Sequence, residues 1–168
     1  MSDRLLHMAA LRGEQAVLQP VDVPTLLAKV RSTLLPKAAQ SGVQLLPVQT
    51  QPCKIAGEAA LLESLLINLG DNAIKACAQG DSVALLAQCK NGTVTLMVQD
   101  TGRGMETQTL AQLGKAFYRP DKARSREQGG AGLGVALCRQ IAQSHGTTLQ
   151  YKSRLGAGTT AMVTFTTL

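Results

Sequence analysis

An Asn-Gly pair between two apolar stretches is the feature that most restricts how this chain can fold. Asn91-Gly92 separates Ser82–Cys89 from Thr93–Gln99, and each stretch alternates between apolar and polar residues or is continuously apolar. Asn-Gly adopts the positive backbone angles of a two-residue turn at little cost, so the pattern predicts an antiparallel hairpin. Because one hairpin is not stable alone, further strands or helices must cover its apolar face.

Patterns on both sides of the hairpin predict that covering layer. One helix is predicted from the N-cap Asp22 to about Gln40, a longer one over about Glu58–Ala78 and ended by Gly80, and a third over Leu133–Ser144. Short strands are predicted at Val17–Val21, Val43–Val48, Cys53–Ala56, Thr148–Ser153 and Thr159–Thr166. The chain is therefore predicted to be α+β, with a mixed, mostly antiparallel sheet backed by helices on one face.

Composition excludes several functional classes. The 168 residues fit one domain, and no apolar run reaches the roughly 20 residues that a membrane helix needs. The net charge of +6 suits phosphate, but the chain has no Trp, two Tyr and two Phe, too few aromatic rings for stacking on single-stranded nucleic acid. The four cysteines are widely spaced, which predicts reduced thiols and a cytoplasmic compartment. A basic nucleic-acid binder stays a weaker alternative.

Polar side chains share one face of the long helix. On a helical projection Asn68, Asp71, Asn72 and Lys75 fall within about 100 degrees of one another, beside an apolar arc. Two asparagines four residues apart can direct amide oxygens at one hard cation, and a lysine one turn further can neutralise phosphate. The alternative is an ordinary solvated helix face.

Three glycine-rich segments follow. Asp100-Thr101-Gly102-Arg103-Gly104 ends a predicted strand, Gly129–Gly134 opens the last helix, and Gly156–Thr159 lies between the closing strands. Glycines before a helix leave backbone N–H groups free to bind phosphate. No Gly-Lys-Ser/Thr follows, and Val135 stands where a dinucleotide fingerprint needs glycine, so neither of those phosphate loops is present. Each segment alone is also consistent with a tight turn.

Taken in order, these motifs resemble the nucleotide-binding boxes of the GHKL superfamily, specifically the catalytic ATP-binding domain of bacterial sensor histidine kinases. The resemblance covers about Val21 to Phe165 and implies a two-layer α/β sandwich of the Bergerat type, with ATP and Mg²⁺ as ligands. It implies Mg²⁺ at Asn72 with Asn68 nearby, and adenine on Asp100. Residues of phosphoryl transfer would be Asn68, Lys75, Arg119 and Arg124. Further nucleotide contacts would come from Gly102, Gly104, Tyr118, Lys122, Gly130, Gly132, Leu133, Gly134 and Thr159.

Two positions depart from the family's pattern, and a third discriminates within the superfamily. Ala76 stands where the family often has an aromatic residue able to stack on adenine, and Val135 replaces a leucine. Asn68 stands where hydrolysing and serine-phosphorylating members carry a glutamate base, and an amide cannot accept a proton. A neutral imidazole needs no such base, so the pattern favours a histidine kinase. A GHKL ATPase, an anti-sigma-factor-like serine kinase and a non-catalytic nucleotide-binding module remain alternatives.

The resemblance also implies a domain plan and partners. Residues 1–13 are interpreted as the remnant of a preceding hairpin helix, and 14–168 as the catalytic domain with a mobile lid over about 106–130. Neither histidine fits a phosphoacceptor, because His7 precedes Met8 and His145 precedes Gly146; His145 is instead predicted to cap a helix C-terminus. The expected partners are a phosphoacceptor hairpin of the same homodimeric, membrane-anchored parent and a response regulator. No nucleic acid and no direct membrane contact are expected.

Overall fold

Three helices and seven strands make up the described part of the chain. The computed structural model describes residues 17–106 and 133–168. The elements in order are β1 (Gln19–Asp22), α1 (Val23–Gln40), β2 (Gln44–Leu45), β3 (Lys54–Gly57), α2 (Ala59–Ala76), β4 (Ser82–Lys90), β5 (Thr93–Asp100), α3 (Leu133–Ser144), β6 (Leu149–Arg154) and β7 (Gly158–Thr166). Residues 1–13 and almost all of 106–130, interpreted above as a helix remnant and a lid, lie outside these ranges.

The main sheet has five strands in the order β2-β4-β5-β7-β6, and β2 alone runs parallel to its neighbour. β1 and β3 form a separate antiparallel pair. The predicted hairpin is confirmed: Asn91 and Gly92 have φ values of 52° and 77°, and β4 pairs with β5 from Lys90–Thr93 to Val83–Asp100. The predicted α+β fold with a mixed sheet is therefore confirmed.

The helices form a second layer on one face of the sheet. α2 packs between α1 and α3 and rests on β5. Alternate residues of β5 and β7 point toward it, and they are buried apolar residues along most of both strands. None of the helices described is long and apolar enough to cross a membrane.

Two elements end earlier than the sequence predicts, for local reasons. α2 ends at Ala76, before the predicted Ala78, because the Ala76 carbonyl accepts the N–H of Arg103 (3.2 Å) and Cys77 turns to an extended conformation. The strand predicted over residues 43–48 is only Gln44–Leu45. Beyond it, Pro47 offers no N–H, and the Arg31 guanidinium binds the carbonyl oxygens of the Leu45–Leu46 pair at 2.8 and 2.9 Å.

His145 joins the end of α3 to the start of α2. Its Nε2 accepts the backbone N–H of Glu58 (3.0 Å), so Nδ1 carries the proton and donates to the Ile141 carbonyl oxygen (2.8 Å). The second contact is the C-terminal cap that the sequence predicts. The ring also meets Phe165 edge-on, with centroids 6.1 Å apart.

We expect His145→Ala to lower the free energy of unfolding by about 2 kcal/mol, because two hydrogen bonds are lost and a part-buried N–H is left without its partner. His145→Phe keeps a ring beside Phe165 and should recover only part of this loss. Urea unfolding of the three proteins measures both effects. An unchanged midpoint for His145→Ala would contradict this account.

Candidate functional site

A row of three polar side chains crosses the main sheet at one end of the apolar core. Asp100 on β5 pairs with Thr159 on β7, and Thr159 pairs with Ser153 on β6. Side chains alternate between the two faces along each strand, and these three residues occupy the positions whose side chains face the helices. They therefore share the inner face of the sheet. These three polar side chains thus adjoin the last buried apolar side chains on the inner face of the sheet.

Asp100 is the most enclosed member of this polar row. The residue is 6% exposed, and its Oδ1 accepts the backbone N–H of Gly102 at 2.8 Å, while the Thr159 N–H also points at the carboxylate. Burial raises the pKa of Asp100 above its usual value, and the two backbone N–H groups offset that rise only in part. The result is a buried carboxylate held by backbone donors, suited to accept a hydrogen bond from a ligand.

Close backbone contacts fix the loop that follows Asp100. Gly104 has a φ of +71°, and a side chain there would overlap the carbonyl oxygen of Arg154. Gly158 has a φ of +91°, and a side chain there would overlap the carbonyl oxygen of Asp100. Both positions therefore need glycine for conformation and for space. Since Arg103 bonds to Ala76, the loop is also fastened to the end of α2.

Sequence reasoning missed Ser153. Its Oγ accepts the N–H of Met105 (2.8 Å) and lies 3.0 Å from the Gly158 carbonyl oxygen and 2.7 Å from Thr159 Oγ1. Alternation along β6, together with pairing to the Gly158-Thr159 strand, was the available signal, because it places Ser153 on the inner face.

The predicted magnesium residues, Asn68 and Asn72, lie one turn apart in the C-terminal half of α2. Asn68 is 4% exposed; its Nδ2 donates to the Ser64 carbonyl oxygen (2.7 Å), while its buried Oδ1 has no hydrogen-bond partner among the described residues. Asn72, one turn further, is exposed. An unpaired buried amide oxygen beside a second amide fits a hard cation such as Mg²⁺, which takes oxygen ligands.

Lys75, predicted to lie near phosphate, is paired with Asp71. Its Nζ lies 3.2 Å from Asp71 Oδ2, and Lys37 of α1 binds the other oxygen of the same carboxylate. Burial acts to raise the pKa of Asp71, but hydrogen bonds and charge from the two lysines outweigh it and lower that pKa. Asp71 thus fastens α1 to α2 and holds Lys75 beside the two asparagines.

We expect Asp71→Asn to reduce stability at pH 7 by about 1–2 kcal/mol, since two charge-assisted hydrogen bonds are weakened. A lowered folded pKa contributes stability that is present above the unfolded pKa of about 3.9 and lost as the pH falls through the folded value. The variant should therefore lose less stability than the wild type on acidification below about pH 4. Glu63→Gln, which removes the more exposed pair with Lys29 at 3.2 Å, should change little. Equal effects of the two substitutions in urea unfolding would contradict the role of Asp71.

Some of the remaining predicted nucleotide contacts lie among the described residues, and others do not. Gly102 supplies the N–H to Asp100, Leu133 begins α3, and Gly134 lies buried in its first turn. Tyr118, Arg119, Lys122, Arg124, Gly130 and Gly132 lie outside the described residues. The structure thus brings together the loop after Asp100, the start of β7 and the end of α2, through the contacts of Arg103 and Thr159.

Known proteins with similar sequences include a sensor-like histidine kinase and a sensor protein. The sensor-like histidine kinase SenX3 of Mycobacterium tuberculosis is 28% identical over 162 residues, 95% of this chain and 40% of SenX3. The sensor protein SrrB of Staphylococcus aureus is 36% identical over 102 residues, 61% of this chain and 18% of SrrB. The chain therefore spans at most two fifths of the length of these relatives.

Two known structures share the fold of this chain. Full-length ShkA, crystallised in complex with AMPPNP, superposes with a TM-score of 0.82 and 28% identity, covering 99% of this chain and 35% of ShkA. The mycobacterial sensor histidine kinase MprB gives a TM-score of 0.76 at 22% identity, covering 90% of this chain and 98% of MprB. Residues 57–168 match the family model described as histidine kinase-, DNA gyrase B-, and HSP90-like ATPase. On its fold, its motifs and this match, the chain belongs to the family of histidine kinase-, DNA gyrase B- and HSP90-like ATPases.

Proposed function

We propose that this chain binds Mg²⁺-ATP and is the catalytic domain of a sensor histidine kinase. The observation that carries the proposal is the buried Asp100 carboxylate, held by the N–H groups of Gly102 and Thr159 at the edge of the core. A buried carboxylate with backbone donors on one side is an acceptor for the amino group of adenine on the other. The AMPPNP complex of ShkA and the SenX3 likeness support this choice of ligand and activity.

The end of α2 supports the phosphate side of the proposal. Asn72, with Asn68 nearby, would hold Mg²⁺ through amide oxygens, and the metal would offset negative charge on the phosphates. Lys75, held by Asp71, would contribute a further positive charge. Arg119, Arg124 and Lys122 stay candidates for contact with the terminal phosphate, and Tyr118, Gly130, Gly132, Leu133 and Gly134 for contact with the nucleotide.

Asn68 favours transfer over hydrolysis. Its amide nitrogen donates to the Ser64 carbonyl oxygen, and an amide cannot act as the base that deprotonates water. A histidine acceptor is already nucleophilic near neutral pH. We therefore propose that the phosphate passes to a histidine on a hairpin domain of the same homodimeric, membrane-anchored parent, and then to a response regulator, in the cytoplasm.

The decisive experiment combines binding with transfer. Calorimetric titration with ATP, with and without Mg²⁺, measures affinity, and the parent's hairpin domain is then added with γ-labelled ATP. Label on the hairpin histidine is the expected result. Release of inorganic phosphate without a hairpin would favour the ATPase alternative, label on serine the serine kinase, and binding without transfer a non-catalytic module.

We expect Asn72→Ala to lower the affinity for Mg²⁺-ATP about tenfold while leaving the affinity for metal-free ATP nearly unchanged. Because the Asn72 side chain is exposed, this variant should fold like the wild type, in contrast to a variant of the buried Asn68. Gln79→Ala is the matched control, because Gln79 is also an exposed polar residue but lies just after α2. Equal losses with and without the metal would show that Asn72 does not act through Mg²⁺.

A further inference from the structure

The hydroxyl of Ser153 occupies a position between two groups of fixed polarity. The N–H of Met105 can only donate to it, at 2.8 Å, and the carbonyl oxygen of Gly158 can only accept from it, at 3.0 Å. A serine hydroxyl has a single proton. When that proton goes to Gly158, none remains for the third neighbour, Thr159 Oγ1 at 2.7 Å.

The proton of Thr159 is therefore assigned as well. With the Ser153 proton on the Gly158 carbonyl oxygen, the proton in the close contact between the two hydroxyl oxygens comes from Thr159. With its proton turned toward Ser153, Thr159 Oγ1 offers only lone pairs in every other direction. Thr159 is half-buried and stands next to the Asp100 carboxylate across the strand pair, so two acceptors lie side by side.

We propose that Ser153 is a positioning residue for base recognition, which acts by keeping the Thr159 hydroxyl oxygen an acceptor beside Asp100. Two neighbouring acceptors favour a base whose facing edge carries an amino group, and they repel a base with a carbonyl oxygen at that place. The inference rests on the proposed nucleotide function and adds a determinant of base selectivity. Without Ser153, the Thr159 hydroxyl can rotate and donate, which removes part of the repulsion.

A purely structural role would look different. Ser153 also ties Met105 to the β6–β7 pair, so its loss could loosen the loop after Asp100 and weaken every nucleotide alike. Selectivity between two nucleotides of the same size and charge separates the two roles, because loosening lowers both affinities and leaves their ratio unchanged.

The test compares ATP with inosine triphosphate, in which a carbonyl oxygen replaces the amino group and the neighbouring ring nitrogen carries a hydrogen. Affinities of the full chain for both are measured by calorimetry. We expect Ser153→Ala to lower the ATP-to-ITP affinity ratio about tenfold, and Ser153→Thr, which keeps the hydroxyl, to retain the ratio. Thr164→Val removes a hydroxyl of β7 that pairs with Thr95 (3.0 Å) on the outer face, and it should leave the ratio unchanged.

A double-mutant cycle checks that Ser153 acts through Thr159. Thr159→Val should itself lower the ratio, and adding Ser153→Ala to it should have no further effect. An unchanged ratio in either single variant, or the same tenfold fall in the Thr159→Val background, would overturn the inference. Should Ser153→Ala not fold, as judged by thermal unfolding, Thr159→Val and Ser153→Thr still decide it. Failure of the wild type to bind ATP would instead overturn the proposed function.

Discussion

Replacing Asp100 by asparagine is expected to lower the affinity for ATP about 100-fold while the chain stays folded. Hydrogen bonds to a charged acceptor contribute about 1.5–3 kcal/mol, and the asparagine amide also turns a donor toward the amino group of adenine. Because burial disfavours the ionised form of Asp100, removing the charge should not destabilise the fold at pH 7. Calorimetry gives the affinity, and urea unfolding gives the stability.

The pH dependence follows from the same carboxylate. Its raised folded pKa means that its contribution to stability is fully present below the unfolded pKa of about 3.9 and is lost as the pH rises through the folded value. ATP affinity should change the opposite way, since the ionised form is the acceptor, and should fall on acidification through the folded pKa of Asp100.

The matched control for Asp100→Asn is Asp81→Asn. Asp81 is a nearby carboxylate that accepts the backbone N–H of Ala78 at 2.8 Å. Equal losses of affinity in the two variants would contradict a direct role of Asp100.

Substituting Gly158 by alanine is expected to lower the free energy of unfolding by about 3 kcal/mol. The new methyl group would overlap the Asp100 carbonyl oxygen, and a φ of +91° is itself strained for any residue with a side chain. Relief requires β7 to move away from β5 at the point where Thr159 meets Asp100. ATP binding should therefore weaken along with stability.

Gly156 supplies the control for Gly158. It lies two residues earlier with a similar φ of +82°, but a side chain there would meet open space. Gly156→Ala should cost about 1 kcal/mol, the strain alone. Thermal unfolding of both variants measures the difference, which isolates the overlap with the strand. Equal losses would mean that strain, and not close packing of β7 on β5, explains the need for glycine at residue 158.

Local signals account for most of what the sequence predicts correctly. Asn91-Gly92 predicts the hairpin because the turn depends on two residues alone, and Asp22 predicts the start of α1 because its side chain accepts the N–H of Thr25 (3.2 Å) within one turn. The order of motifs predicts which segments form the site. Asp100 and the Gly158-Thr159 pair do meet in the structure, although they are far apart along the chain.

Contacts between distant segments account for what the sequence does not predict. The carboxylate of Asp71, which the helical projection places on the polar face of α2, is bound by Lys37 from another helix and is buried. The end of α2 depends on Arg103 and the length of β2 on Arg31, and each partner lies outside the element that it affects. Ser153 has no motif of its own, and only the strand register reveals it.

The pairing of β5 with β7 also bears on the order in which the molecule folds. The β4–β5 hairpin closes through a two-residue turn, so Asp100 reaches its strand early and from local contacts. Its neighbour Thr159 arrives only when a much longer loop closes, with the entropic cost that such a loop carries. We therefore expect the pairing of Asp100 with Thr159 to form late in folding. Recovery of ATP binding during refolding should then lag behind formation of the hairpin and report the arrival of the last strand.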